Sequence, residues 1–354
     1  MKYSFTSLAL AGLAAAAAVN TKEAAAPVSV SITPVGNTAV KAVITNNGNK
    51  GYNILHKGTI LDKIPTNDFE VTKDSQKAEF HGVKLRLGKT FDQSAFTALQ
   101  PGQSKEVVVD LAEVYGLDKS GIYDVRAAGQ FRVAELGSTE LIRDETIFYH
   151  SNPVSLNVDG QRASKVSKAI HVALQSRSTI QSDCSASQKS TIADGEKRCA
   201  AQANAAADAA LNGSASKFQE YFKSTATADR QRVANRLKAV AKECTNTPGG
   251  VLSVHCSDVY NYCDPGTFAY TVSSDDAVVW CDQYWKSPME TTQCHGDDKT
   301  GTTIHEYTHA SHVFSPGTDD YAYGYTDCSK LSRAKALENA DTYEYYANAI
   351  HLGC

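Results

Sequence analysis

Residues 301–325 read GTTIHEYTHASHVFSPGTDDYAYGY. On a helix, side chains four residues apart lie one above the other, so His305 and His309 can turn both imidazoles towards one ion. Glu306 projects about 100° around the axis from His305, off the ion but beside a water that the ion would hold. A zinc ion lowers the pKa of such a water to about 7, and a carboxylate beside it can take the proton as the water attacks a carbonyl. The pattern predicts a helix from about Gly301 to Val313, stopped by Pro316-Gly317, that carries a hydrolytic metal centre. A catalytic zinc needs a third protein ligand and keeps one position open.

Three sources of that ligand can be weighed. The longer pattern HExxHxxGxxH wants glycine and then histidine where this chain has His312 and Ser315, so it fails. His312 itself reads as a structural or rim residue. Glu338 and Asp341, in LENADTYEYYANA, share a face at i, i+3 of a final helix expected over about Leu331–His351. The loop after Pro316-Gly317 reverses the chain and can bring Asp320 back over the site. Geometry does not choose between the last two.

The surrounding sequence limits the setting. A chain of 354 residues suggests two domains. It opens MKYSFTSLALAGLAAAAAVN, a basic start followed by an apolar run from Leu8 to Val19. That run is too short to cross a bilayer and rich in small residues, as in a secretory signal peptide over residues 1–19. The expected location is extracellular, and no later segment is apolar enough to span a membrane. All nine cysteines fall between Cys184 and Cys354. In an exported protein they would form disulfides, so the C-terminal half reads as a stapled domain, with one thiol left over. From Ser178 onward there are 15 Lys+Arg and 22 Asp+Glu, a net of 15 − 22 = −7, which leaves +3 of the total −4 for residues 1–177. An acidic exported domain suits cationic partners and argues against nucleic acid.

The N-terminal half alternates apolar and polar residues, as in VSVSITPVGNTAVKAVITNNGNKGYNILHKG, KEVVVDLAEVYGL and GIYDVRAAGQFRVAEL. Short strands between turn signals such as Asn46-Asn47-Gly48-Asn49 predict a β-sandwich of about 130 residues. The basic stretch from Asn157 to Arg177 is compatible with a helix, and Ser176-Arg177 offers a processing point before Ser178. Beyond Cys184, CAAQANAAADAALNG and TADRQRVANRLKAVAKEC are helical, the second with Val233, Leu237 and Val240 on one stripe. GVLSVHCSDV and DDAVVWCDQY are strand-like, and Asn212-Gly213-Ser214 is a glycosylation sequon. The fold class is α+β: a β-sandwich-like region followed by a helix-rich zincin-type domain.

His305-Glu306-x-x-His309, with Asp320 in Gly317-Thr318-x-Asp320-x-x-Tyr323-Gly324, closely resembles the deuterolysin family of secreted fungal zinc endopeptidases, the aspzincins. The plan of the chain is similar too: signal 1–19, cysteine-free pro-region 20–177, mature domain 178–354. The resemblance implies a metalloprotease made as a zymogen, with one Zn2+ per mature chain on His305, His309 and Asp320. It implies Glu306 as the base, Tyr323 as hydroxyl donor to the developing oxyanion, and Asp341 as the carboxylate that holds a ligand histidine by its other nitrogen. Ligation by Asp341 in place of Asp320 is the competing assignment. It also implies disulfides Cys184–Cys256, Cys263–Cys281 and Cys294–Cys354. Cys199–Cys244 is then a plausible extra pair, which leaves Cys328 free. Protein or peptide substrates follow, with a taste for basic proteins such as histones and protamines. Asp275, Asp276, Asp297, Asp298 and Asp319 are candidates for an acidic rim that would attract them. The pro-region, expected to keep the enzyme latent, has no thiol to place on a metal, so latency would be steric or through another ligand. His150 and His171 are available but read as ordinary histidines. A non-catalytic, zinc-stapled binding or effector protein is the alternative. It would need four closed ligands and no base such as Glu306.

Overall fold

The computed structural model describes residues 26–170, 180–245 and 249–354. The expected signal segment, His171 and the processing point after Arg177 lie outside the described residues.

In chain order, the N-terminal half forms β1 (Val28–Pro34), β2 (Ala39–Asn46), β3 (Tyr52–Leu55), β4 (Phe69–Lys73), β5 (Gln76–Lys77), β6 (Val83–Leu87), β7 (Phe96–Leu99), β8 (Ser104–Asp110), β9 (Gly121–Glu135), β10 (Leu141–His150) and β11 (Val154–Val158). Strands β1, β2 and β8 make a three-stranded antiparallel sheet, and the long β9 is the hub of a seven-stranded one. Along β1 the side chains of Val28, Val30 and Ile32 are buried while Ser29 and Ser31 are exposed, which is the period-two signature of a half-buried strand. These residues meet Ile54, Val71, Val125 and Phe131 of the larger sheet in one core. The two sheets therefore face each other across an apolar layer, as the alternation predicts.

Two features of this half depart from a plain sandwich. Up to Ile170 the stretch from Asn157 gives a single helical turn, α1 (Gly160–Ala163), capped by Asp159, whose side chain accepts from the N–H groups of Gln161 and Arg162. Strand β6 leaves both sandwich sheets altogether. It forms the edge of a four-stranded sheet whose other members, β12 (Ser253–His255), β13 (Thr267–Val272) and β14 (Ala277–Trp280), come from the C-terminal half.

That half is otherwise helical: α2 (Ala186–Asn212), α3 (Ala215–Phe222), α4 (Thr227–Thr245), α5 (Asp282–Lys286), α6 (Lys299–His309), α7 (Tyr325–Cys328), α8 (Arg333–Ala336) and α9 (Ala340–Leu352). A Ser185–Gln188 capping box starts α2, and its buried alanines let α4 pack closely. Val233, Leu237 and Val240 are fully buried. Disulfides join Cys184–Cys256, Cys199–Cys244, Cys263–Cys281 and Cys294–Cys354, and Cys328 is a buried free thiol. The final helix is not continuous from Leu331. It breaks at residues 337–339, where Asn339 gives its side chain to the backbone of Ala322, accepting from N–H at 2.9 Å and donating to C=O at 3.2 Å. An asparagine so engaged competes with helical pairing.

Candidate metal centre

Helix α6 is the element that positions the motif. Asp298 caps it by accepting from Gly301 N–H at 2.6 Å. Thr302 and Thr303 return their hydroxyls to the carbonyls four residues back. Threonine-rich turns are poor helix formers, and this helix holds because it is buried on all sides, from Lys299 to His309. It ends at His309, four residues before the expected Val313, with Ala310 already extended. A Cβ on Gly301 would stand 3.0 Å from Glu344 Oε1. The bare glycine therefore lets α9 approach and carry Asp341 and Glu344 up to His305. A Cβ on Gly317 would stand 2.0 Å from the His309 carbonyl oxygen, so only glycine lets the following loop fold back over the end of α6.

That loop is pinned on both sides. Thr318 N–H donates to Thr308 C=O at 2.9 Å and Asp319 N–H to Glu338 C=O at 2.7 Å, while Gly324 N–H donates to Asp341 Oδ2 at 2.6 Å. Asp320 is delivered to the histidines as a result. His305 Nε2 lies 3.1 Å from His309 Nε2 and 3.3 Å from Asp320 Oδ1, and His309 Nε2 lies 3.2 Å from Asp320 Oδ2. The other ring nitrogens are held from behind. His305 Nδ1 is 2.8 Å from Asp341 Oδ1, and His309 Nδ1 donates to Thr318 C=O at 3.0 Å. In the neutral rings with Nδ1 protonated, each Nε2 offers a lone pair towards Asp320.

These residues fit a cation. Two lone pairs and a carboxylate repel one another at this range, and ligands about 2.0–2.1 Å from a tetrahedral ion stand roughly 3.3 Å apart. Among the described residues no further His, Cys, Asp or Glu joins His305, His309 and Asp320, so these three would leave one position of a tetrahedral ion open. A second cluster, His305 with Asp341 and Glu344, already has its countercharge in the buried Arg86, which donates to Glu344 through Nε at 2.7 Å and Nη2 at 2.8 Å.

Charge follows the same geometry. Burial opposes ionisation of His305, but Asp320, Asp341 and Glu344 outweigh it and raise its pKa. Burial lowers His309. Asp320 is buried too, yet His309 and His305 hold its carboxyl far below the usual range. Burial pushes Glu306 up to about 8. Its Oε2 accepts from the Thr271 hydroxyl at 2.5 Å, and its buried Oε1 has no hydrogen-bond partner among the described residues. A carboxylate so poorly solvated grips a proton strongly, which suits it to take one from water. Tyr323 is 8 % exposed and packs under the Arg132 guanidinium, 5.2 Å from its ring centre.

The remaining sequence candidates lie elsewhere. Glu338 sits in the helix break and pairs with Arg232 at 3.0 Å and Lys77 at 3.6 Å, so it does not share a face with Asp341 towards the histidines. His312 pairs with Asp276 away from the cluster. The acidic-rim aspartates are mostly committed within the fold. Asp298 caps α6, Asp297 pairs with Arg86 and Lys89, Asp319 with Lys84, and Asp275 accepts from Tyr260 at 2.6 Å. Sequence reasoning missed Thr271 and Arg86, which carry no motif. Glu344 stands three residues after Asp341, and that helical spacing was the signal for it.

A family model described as "Deuterolysin metalloprotease (M35) family" matches residues 1–354. A neutral protease 2 homolog of Phaeosphaeria nodorum is 40% identical over 353 residues, 98% of this chain and 97% of that protein. The neutral protease 2 of Aspergillus oryzae is 38% identical over 327 residues, covering 92% and 91%. A solved zinc peptidase from Grifola frondosa is 24% identical and superposes with a TM-score of 0.39, over 47% of this chain and 97% of that one. The chain belongs to the deuterolysin metalloprotease family and is a zinc metalloendopeptidase.

Proposed function

We propose that the chain is a secreted endopeptidase, one zinc per mature domain 178–354, whose metal is held by His305, His309 and Asp320. The convergence of two Nε2 atoms and one carboxylate at 3.1–3.3 Å carries this reading. When bound there, zinc supplies Lewis acidity to the attacking water and to the peptide carbonyl. Glu306 takes the water proton at Oε1, while Thr271 keeps Oε2 in place, and then passes it to the leaving amide nitrogen. Tyr323 donates its hydroxyl to the carbonyl oxygen as negative charge grows there. Asp341 holds the His305 ring by Nδ1 and favours the tautomer that offers Nε2. The non-catalytic alternative has no use for a buried, half-unpartnered Glu306.

A preference for basic proteins is part of the proposal. Its support is Arg86, which nestles among Asp297, Asp341 and Glu344 beside His305. A cluster that holds this arginine can also hold a lysine or arginine of a substrate, and the −7 charge of residues 178–354 draws cations from a distance. Mass spectrometry of a histone digest tests both points. Internal cuts beside basic residues are expected, abolished by a chelator. Glu306→Gln should retain zinc and lose at least about a thousandfold in kcat. A Glu306→Gln protein with full turnover refutes the mechanism.

A further inference from the structure

A protease must admit an extended polypeptide, yet this centre is sealed. His305, Glu306 and His309 are at most 1 % exposed and Tyr323 8 %. The cavity beside Asp320, lined by Gly58, Asn67, Lys84, Leu85, Asp320 and Tyr323, has a volume of about 30 Å³, room for a water or two. The larger space between the halves, about 620 Å³, reaches His309 but none of Glu306, Asp320 or Tyr323.

Strand β6 is what closes the site. It pairs antiparallel with β13, Leu85 opposite Tyr270 and Lys84 opposite Thr271, the residue that touches Glu306. An exposed sheet edge next to a catalytic carboxylate is a natural track for an extended chain, because backbone hydrogen bonds bind any sequence and alternate side chains drop into pockets. Strand β6 fills that track with its own residues. The Leu85 N–H donates to Asp320 Oδ2 at 3.1 Å, Lys84 Nζ donates to Thr318 C=O at 2.5 Å, and Arg86 fills the Asp297–Glu344 cluster. At Leu85 the group the strand offers to Asp320 is an N–H and not a carbonyl.

We infer that residues 83–87 are an autoinhibitory strand: in the uncut chain β6 occupies the peptide-binding edge of β13 and is held there by Arg86. The inference rests on the peptidase reading above, and the test separates the two. The uncut full-length chain is assayed on a short, uncharged, internally quenched peptide. Arg86→Glu, which sets a fourth carboxylate against Asp297, Asp341 and Glu344, should raise turnover at least tenfold over the unsubstituted chain without any cut. Lys84→Ala/Arg86→Ala, which removes the two anchoring cations without adding a carboxylate, should do so in part. A synthetic peptide of residues 80–90 should suppress the gained activity, and the same peptide with glutamate for Arg86 should not. Hydrogen exchange should show β6 amides protected in the unsubstituted chain and released in both variants, with α6 still protected as proof of folding. Rapid exchange along β6 in the unsubstituted chain overturns the inference. So do variants with β6 released and α6 protected whose turnover rises only after limited proteolysis. If no sample shows turnover, proteolysed ones included, the peptidase reading falls and takes this inference with it.

Discussion

His305 is gripped at both ring nitrogens, by Asp341 from behind and by the cluster with His309 and Asp320 in front. In the proposed centre the two carboxylates have different duties, and single substitutions separate them. Asp320→Ala removes the proposed third ligand and leaves the two imidazoles. It should abolish stoichiometric zinc, read by elemental analysis after dialysis. Asp341→Asn keeps an acceptor shape but removes the charge on Nδ1. It should retain zinc with about 10–100-fold weaker affinity, the usual cost of losing a partner behind a ligand. Glu338→Ala breaks only contacts to Arg232 and Lys77, and zinc content should be unchanged. Zinc retained in Asp320→Ala but lost in Glu338→Ala would reverse the assignment.

Helix α6, its loop and α9 form one device, and two glycines set its tolerances. Gly317→Ala forces a methyl group against the His309 carbonyl oxygen, a backbone atom that cannot step aside. The loop must then shift and take Asp320 with it, so both zinc affinity and Tm should fall. Gly36→Ala is the control, since the new Cβ would meet its nearest neighbour at an ordinary 3.6 Å. Its Tm and zinc content should stay unchanged, as calorimetry and elemental analysis would show. How much of this device could be read in advance depends on range. His305 and His309 were legible because helical periodicity is local, and the strands of the sandwich because Val28, Val30 and Ile32 alternate. The end of α6 was overestimated because the loop takes over hydrogen bonding at Thr308 and His309. The break before α9 was missed because Asn339 is claimed by Ala322, 17 residues away. Strand β6 reads like its neighbours, and nothing within VKLRL tells that its partner β13 begins 180 residues later. Asp320 was one of two options on geometry, and only the family likeness favoured it.

At the scale of the molecule, the ion pairs between the halves among the described residues have one polarity. Lys57, Lys77, Lys84, Arg86 and Lys89 come from the N-terminal side, and Asp264, Glu338, Asp319, Glu344 and Asp297 from the other. These pairs set basic side chains of the N-terminal segment against acidic ones of the other. The N-terminal half also carries a buried carboxyl, Asp68. It is buried with Thr66, Asp62 and Tyr115 about it, and burial pushes its pKa up to about 7 from an ordinary 3.8. A carboxyl whose folded pKa is raised favours folding most below its unfolded pKa and loses that advantage as pH rises towards the folded one. Between pH 4 and 7 this site should therefore cost the N-terminal half stability on the order of a few kcal/mol. His56 and His81, lowered by burial, act in the opposite sense over part of this range, so the total profile does not isolate Asp68. The difference between the unsubstituted chain and Asp68→Asn does, because the histidine contributions cancel. Calorimetry at steps from pH 5 to 8 should show the variant gaining relative Tm as pH rises. With β6 anchored in the same half, peptidase activity of the uncut chain should also leak more at pH 8 than at pH 5, and this excess should shrink in Asp68→Asn. A constant Tm difference across the range would show that the Asp68 carboxyl is already ionised in the folded protein.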